Sequence, residues 1–205
     1  MKERLIIIGA GGHGKVCADI ALKMGCYKEI FFADDIVKGT VMGLQVLGGF
    51  SECKKEIENA DFFVAIGNPK QRETYLTMLK EEKATITTLI HPDAVIGTDV
   101  AIALGTVVMA GAVINPDSRI GEGVILNTAC SVDHDNVIGD YCHISVGAHL
   151  AGTVKIGAKT MIGAGATIIN NIEICAGCMI GAGAVVIKNI TEAGTYIGVP
   201  ARKLK

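Results

Sequence analysis

The sequence has no tryptophan, and its 205 residues include only five phenylalanines, four tyrosines and four prolines. Large rings therefore cannot fill the interior, and a 50% hydrophobic composition must build its core from small and branched aliphatic side chains. A basic excess is also missing. The formal net charge of −2 excludes a non-specific nucleic-acid binder, which needs a positive footprint. A membrane-spanning run is missing too. The longest uncharged stretch, Val100 to Pro116, is interrupted by Gly105, Gly111 and Asn115, and a spanning helix needs about 20 apolar residues. Met1-Lys2-Glu3-Arg4 precedes an apolar stretch that stops at Gly9, too short for the hydrophobic region of a leader. Disorder is excluded, because a chain only 20% charged with this much aliphatic content can bury a core. The seven cysteines are odd in number and scattered among apolar neighbours, as reduced thiols of a cytoplasmic protein would be. Cys175 and Cys178 form a CxxC without a second pair or a suitable histidine nearby, so neither zinc nor redox chemistry is expected of them.

What is present divides into two grammars. Residues 1–90 alternate strand and helix. Leu5 to Ile8 reads as a buried strand, and His13 to Met24 as a helix with apolar spacing at Val16, Ile20, Ala21 and Met24, stopped by Gly25. Ile30 to Ala33 and Asp61 to Ile66 read as further strands, with a short helix over Ser51 to Ile57 between them. Asn68-Pro69 opens another helix, with Gln71 as the third residue of a capping box, and Thr85 to Leu89 returns as a strand. Such alternation implies an α/β domain with a Rossmann-like parallel sheet.

From Ile96 to Val186 every sixth residue is Ile, Val or Leu, sixteen times in succession. Neither a helix period nor a strand period gives that spacing. A small residue usually stands two positions earlier, as at Ala112, Cys130 and Ala148. The hexapeptide period is the signature of a parallel β-helix, a triangular prism in which each hexad supplies one flat strand and one corner. Three hexads close a coil, so residue n stacks on n+18, and sixteen hexads make about five coils over residues 91–190. Residues 191–205 then read as a basic tail.

Two clusters could carry chemistry. In the first, Gly9, Gly11 and Gly14 fit G-x-G-x-x-G between a strand and a helix, where backbone can approach a pyrophosphate at a helix N-terminus. The same loop also serves as a plain tight turn. Asp34 and Asp35 end the second strand, where a carboxylate can meet ribose hydroxyls or a base N–H. Gly67 and Asn68 close another parallel strand and face the same crevice. Fewer than ninety residues leave no second mononucleotide half, so a nucleoside diphosphate sugar fits better than a dinucleotide.

The second cluster is Asn127 to Asp135. His134 lies two positions after the inward Val132, so it points out of the prism, and eighteen-residue stacking puts Pro116 below it and Gly152 above. Gly152 leaves room for the imidazole and offers a bare N–H. Asn170 and Lys188 continue that row along one edge. His143 and His149 share a hexad position on different faces. Isolated histidines of this kind are usually surface groups. An imidazole flanked by two carboxylates is suited to general-base work, since its ordinary pKa lies near ~6.5.

The glycine loop Gly9 to Lys15, Asp34-Asp35, Ile66-Gly67-Asn68, Ile125-Leu126-Asn127-Thr128 and Val132-Asp133-His134-Asp135 together resemble the bacterial nucleotide-sugar N-acetyltransferases of the UDP-4-amino-sugar type. These include the bacillosamine-pathway and perosamine-pathway enzymes, and sialic-acid O-acetyltransferases share the architecture. The resemblance covers nearly the whole chain. It implies a homotrimer of left-handed parallel β-helices, with acetyl-CoA in the groove between subunits and the nucleotide sugar on the N-terminal domain. It implies His134 as catalytic base and Asp135 as the acidic neighbour that tunes it, at a position that is Glu in the bacillosamine enzyme. It places His143 and Gly152 around the acetyl group and makes Ala164 and Ala182 main-chain contacts to coenzyme A; the row His134, Gly152, Asn170, Lys188 would then be the coenzyme track, with Lys188 or Arg202 meeting phosphate. Gly11, Gly12, His13, Asp34, Asp35 and Gly67 match its nucleotide-sugar site. Direct transfer without an acyl-enzyme is expected, without a metal and without a membrane or nucleic-acid partner. The alternatives are an O-acetyltransferase acting on sialic acid or another sugar, a metal enzyme of the γ-carbonic-anhydrase kind with histidines shared across a trimer, and a noncatalytic nucleotide-sugar-binding protein.

Overall fold

A computed structural model describes residues 3–204. The chain divides into two compact units, the first ending at Pro92 and the second beginning at Asp93. In the first unit four parallel strands lie in the order Glu29–Ala33, Arg4–Ile8, Ala60–Val64, Thr85–Ile86. Leu5 to Ile8 and Phe62 to Val64 are buried throughout, as a parallel sheet covered by helices requires. The helix Gly12–Met24 buries Cys17, Ala18, Ile20 and Ala21, and Gly25 ends it in the left-handed region at φ 64°. Val16, expected on the buried face, is 42% exposed, because the stripe is set by Cys17, Ile20 and Ala21 and Val16 falls beside it. The helix Pro69–Glu81 starts as the sequence predicts, with the Asn68 side chain accepting from the N–H groups of Lys70 and Gln71.

Three details differ from the expected elements. The short helix is Phe50–Cys53 followed by a 3₁₀ turn, Lys54–Glu56. The last strand is split into Thr85–Ile86 and Leu89–Ile90. A small hairpin, Thr40–Val41 against Leu44–Gln45, turns through Met42 and Gly43, both at positive φ. A Met-Gly turn carries none of the usual Asn-Gly or Asp-Gly signal, so the sequence gives no warning of it.

The second unit is the hexapeptide prism, a left-handed parallel β-helix. Two-residue strands run from Val95–Ile96 to Val185–Val186, and up to the last coil they pair in parallel with the strand eighteen residues on, as in Ile114↔Val132, Ile120↔Ile138 and Leu126↔Ile144. The second residue of each strand points inward and the first outward, which leaves three faces. One carries His143, Met161 and Met179, a second carries Ser131, His149 and Thr167, and a third carries Arg119, Lys155 and Glu173. Each corner has four residues. The third is left-handed at every coil from Asp99 to Gly183, and the fourth turns inward, as at Ala112, Cys130 and Ala148. Where glycine holds the first position, the next coil explains it: a Cβ on Gly139 would stand 2.6 Å from the Ala158 nitrogen.

The coiling does not stop at Val186. Ile190 bridges Ile174, and Thr195–Ile197 adds a parallel rung to Met179–Ile180. Both pairings have an offset of sixteen (190 − 174 and 196 − 180), so the corner after Val186 is two residues short. Arg202–Lys203 then returns antiparallel to that rung. The region read as a tail therefore contains the last rung of the prism. The shortened corner also corrects the coenzyme track. The ladder carries His134 onto Gly152 and Gly152 onto Asn170, but the register is lost before Lys188. Among the described residues no helix is long and apolar enough to cross a membrane.

Because the coil above leaves no room at Gly139, Gly139→Ala is expected to destabilise the second unit by about 1–3 kcal/mol, the usual cost of overpacking. Thermal denaturation checks this; a Tm equal to that of the parent would show that the coils can spread freely.

Candidate active site

In the first unit the three glycines of the loop do different work. Gly9 sits at φ 103°, and a Cβ there would lie 2.8 Å from the Ala65 carbonyl oxygen. A Cβ on Gly14 would collide with the Gly9 carbonyl. These two are demanded by the turn and by helix-on-strand packing. A Cβ on Gly11, Gly12 or Gly67 would meet nothing within 4 Å, so the fold does not require glycine there. Bare backbone facing open space at a helix start suits close approach by an anionic ligand. Next to them is a cavity of about 240 Å³, lined by Gly9, Asp34, Asp35, Phe50, Gln71 and Tyr75. Phe50 and Tyr75 meet edge-to-face with ring centroids 5.6 Å apart.

Asp34 and Asp35 separate in role. Asp34 Oδ2 accepts from the Ala10 N–H, and Oδ1 accepts from Ile36 and Val37, each at 2.9 Å. Partial burial pushes its pKa up, but these three N–H donors outweigh that and hold it below the ordinary carboxylate value. Its carboxylate is thus spent on fastening the glycine loop to the next turn. Asp35 is exposed and accepts from the Tyr75 hydroxyl at 3.3 Å, which leaves it the acid available to a ligand. Asn68 likewise has its side-chain oxygen committed to the helix cap. His13 lies in the first turn of the helix, its ring against the Cys17 sulfur at 3.7 Å. Arg72, 1% exposed, donates to the carbonyls of Ile66 and Gly67 at 2.8 Å each and fixes the strand-end loop. Sequence reasoning passed over it, because an arginine on a polar helix reads as solvated.

In the second unit His134 is the second residue of a corner, with 53% of its side chain exposed. Its Nδ1 is 2.7 Å from Asp135 Oδ2. Asp135 takes the left-handed third position at φ 58°, which Asp tolerates better than most residues. The hydrogen bond that Asp135 accepts, reinforced by the charges of Asp133 and Asp135 and only partly offset by desolvation, raises the His134 pKa above its ordinary value. Asp133 accepts from the Asn115 amide at 2.8 Å and from the His134 N–H at 2.9 Å, bonds that keep it ionised below the usual range. On the opposite side of the ring, a Cβ on Gly152 would sit 2.5 Å from His134 Nε2. The imidazole therefore rests over bare backbone, with Nδ1 tied and Nε2 turned towards Gly152. The Gly152 N–H meets no acceptor among the described residues.

The other residues of the second cluster lie apart from this edge within one chain. His143 is half-buried on its own face, its Nε2 3.0 Å from the Asn127 amide nitrogen. His149 is on the neighbouring face, its Nδ1 2.8 Å from the Ser131 hydroxyl. That face holds a cavity of about 340 Å³ whose lining includes Asn115, Ser131, Asp133, His149 and Asn170. Ala164 and Ala182 stack on the other corner bordering the same face, both exposed. Lys188, Arg202 and Lys203 share a further cavity of about 310 Å³ at the end of the prism. The pairs Asn115–Asp133 and Ser131–His149 were legible in principle, since both are eighteen residues apart. Cys175 and Cys178 are unpaired, with sulfurs 3.4 Å apart, and burial together with that contact raises Cys178 to about 11. Among the described residues no group of three or more His, Cys, Asp or Glu could hold a metal ion.

Comparisons with known proteins agree with this layout. Residues 4–79 match the PglD N-terminal domain family, and residues 153–188 match the bacterial transferase hexapeptide family, six repeats. A UDP-N-acetylbacillosamine N-acetyltransferase of Bacillus subtilis is 36% identical over 111 residues, which is 52% of this chain and only 51% of that relative. The acetyltransferase domain of PglB from Neisseria gonorrhoeae, solved with acetyl coenzyme A, is 40% identical over 100% of both chains with a TM-score of 0.97. PerB from Caulobacter crescentus, solved with CoA and GDP-perosamine, is 34% identical over 98% of this chain and 97% of its own, with a TM-score of 0.93.

The resting place of His134 depends on the missing Cβ above it. Gly152→Ala is expected to leave the prism folded, because the colliding atoms belong to a movable ring, and to push the imidazole off its seat. The change should appear as a shift of the His134 ring resonances and of their titration. Resonances identical to those of the parent would show that Gly152 does not seat the ring.

Proposed function

Since the chain belongs to the family of sugar N-acetyltransferases that join a PglD-type N-terminal domain to a hexapeptide β-helix, we propose that it transfers the acetyl group of acetyl-CoA to the amine of a nucleotide-linked 4-amino sugar, with UDP as the nucleotide. The observation that carries the proposal is the His134 imidazole, held at Nδ1 by Asp135 and open at Nε2 over Gly152. An amine attacks a thioester only when neutral, so a base must accept its proton as the new C–N bond forms. Nε2 of His134 is that base. Asp135 fixes the tautomer by accepting the Nδ1–H. The Gly152 N–H is the donor for the oxygen that gains charge during attack. The C–S bond then breaks, and the proton held by His134 leaves with the thiol. No serine or cysteine nucleophile is needed.

The acceptor's nucleotide would lie against Gly11, Gly12, His13 and Gly67, with Asp35 for a ribose hydroxyl or base N–H and Phe50 and Tyr75 as an apolar wall. Asp34 and Asn68 serve this site by holding its loops. Acetyl-CoA would lie along the Gly152 edge, with His143 near the acetyl group and the Ala164 and Ala182 backbone of a neighbouring subunit beside the pantetheine arm. Lys188, with Arg202 and Lys203, supplies positive charge for its phosphates. A homotrimer is supported by exposed Met161 and Met179 on the His143 face, against the charged outer row Arg119, Lys155 and Glu173. The seven cysteines, none of them in a disulfide among the described residues, agree with work in the cytoplasm.

A panel of UDP- and GDP-linked 4-amino sugars and free sialic acid, each offered with acetyl-CoA, tests the proposal through thiol release and product mass. N-acetylated nucleotide sugar is the expected product; acetylation of sialic acid alone would overturn the reading. His134→Ala should lower kcat by about 10²–10⁴, the usual worth of general-base assistance, with unchanged Tm because the side chain is exposed.

The pH dependence has a defined sign. A raised His134 pKa means that the neutral, basic form accumulates only as pH climbs past the ordinary imidazole value, so kcat/KM should rise through an ionisation above it. Asp135→Asn keeps a residue tolerant of left-handed backbone and removes the charge. It should move that ionisation to lower pH, and a profile unmoved by the change would separate Asp135 from the base.

A further inference from the structure

Behind the His134 corner, inside the prism, lies a polar pair that the chemistry above does not use. Asn136 is 0% exposed and Ser118, directly below it, is equally buried. Asn136 Nδ2 donates to the Asp133 carbonyl at 2.7 Å and to the Ala151 carbonyl at 2.9 Å, with a longer contact of 3.3 Å to the His134 carbonyl. Ser118 donates to the same Asp133 carbonyl at 2.9 Å and accepts the Asn136 backbone N–H at 3.3 Å. Asn136 Oδ1 has no partner among the described residues. Burying an amide with one end unsatisfied is costly, so its retention needs a reason.

The repeat supplies internal controls. The same stacked position one and two coils on is Val154 and Ile172, both buried hydrocarbon, and those corners close without a polar side chain. Corners that do use one need only a single hydroxyl reaching the next coil. Thr106 donates to the Gly121 carbonyl at 2.8 Å, and Thr160 to that of Cys175 at 3.1 Å. Asn136 makes the equivalent bond to Ala151 and, with its second hydrogen, also reaches back to its own corner. Coil stacking does not require that second bond. Its acceptor belongs to Asp133, the residue before His134, and it completes a set that holds Asp133 from both sides: Asn115 and the His134 N–H on the carboxylate, Ser118 and Asn136 on the carbonyl.

We infer that Asn136 is a positioning residue, which holds the Asp133–Asp135 corner from inside the prism so that the His134 ring stays tied to Asp135 and seated over Gly152. It touches neither solvent nor substrate and acts only through the backbone of the corner. The inference rests on His134 being the base, and it deepens that assignment.

The test uses the full chain with two substitutions. Asn136→Thr keeps the single-hydroxyl bridge used at Thr160 and loses the backward bond; Asn136→Val copies the corner at Val154. The His134 ring is titrated by NMR, and steady-state kinetics are measured with acetyl-CoA and GDP-perosamine or whichever UDP-4-amino sugar of the panel turns over. The charged groups facing the ring are Asp133 and Asp135, both unchanged in either variant. Asn136→Thr should retain the Tm and the acetyl-CoA KM of the parent and should lower kcat by about 10- to 100-fold, as misplaced catalytic groups do. The His134 titration should fall towards the ordinary imidazole value as the Asp135 bond loosens. A Thr variant with the parent's titration and kcat overturns the inference. Failure of both variants to fold also overturns it, because Asn136 would then be needed by the coil itself. The two assignments fail differently: if no acceptor turns over, the titration still decides what Asn136 does, whereas a His134→Ala protein with normal kcat removes the base and leaves the titration result standing.

Discussion

The main-chain ladder between residues eighteen apart is the constraint on which the second unit depends. Once each strand hydrogen-bonds to the strand one coil away, every side chain has a fixed neighbour above and below, and each corner must turn within four residues. The left-handed third residue, the small inward fourth and the glycine at crowded first positions all follow from that pitch. So does the candidate site. His134 can stand outside the prism over Gly152 only because the ladder brings residue 152 there, and Asp135 can hold Nδ1 only because the third corner position turns its side chain back to the ring. A glycine that would be unremarkable in a loop becomes, in this register, the seat of an imidazole.

Much of this was legible because a stacked repeat converts sequence spacing into spatial contact. The hexad period located the strands, the outward direction of His134 and its position against Gly152. The same arithmetic failed where the period itself changed. Two residues are missing from the corner after Val186, so Ile190 bridges Ile174 sixteen residues back, and Lys188 leaves the row that includes His134, Gly152 and Asn170. A purely periodic reading cannot register a deletion that is filled by equally aliphatic residues. Asn136 was invisible for a related reason: the inward fourth position accepts Ala, Cys, Ser, Thr, Val or Ile, so an asparagine there looks like one more small residue until its hydrogen bonds are seen.

In the first unit, motif and role came apart. G-x-G-x-x-G marks a strand-to-helix loop, but only the space around each α-carbon separates Gly9 and Gly14, which the turn needs, from Gly11 and Gly12, which it does not. The sequence offers Asp34 and Asp35 alike as ligand groups. The structure assigns Asp34 to three backbone N–H donors and leaves Asp35 beside Tyr75 at the cavity. Asn68 and Arg72 similarly build the loop around Gly67. Side chains that shape a site from behind carry no chemical signature in the sequence, since a capping asparagine and a ligand-binding asparagine read alike.

The proposed base, His134, seated over Gly152 and tied to Asp135, would take the proton of the attacking amine. A crystal structure of the protein with CoA and a nucleotide-linked 4-amino sugar tests it most directly. The sugar amine is expected within hydrogen-bond reach of His134 Nε2, with the coenzyme sulfur alongside and the Asp135 bond intact. An amine placed instead against His149 and Ser131, with His134 facing only solvent, would contradict it.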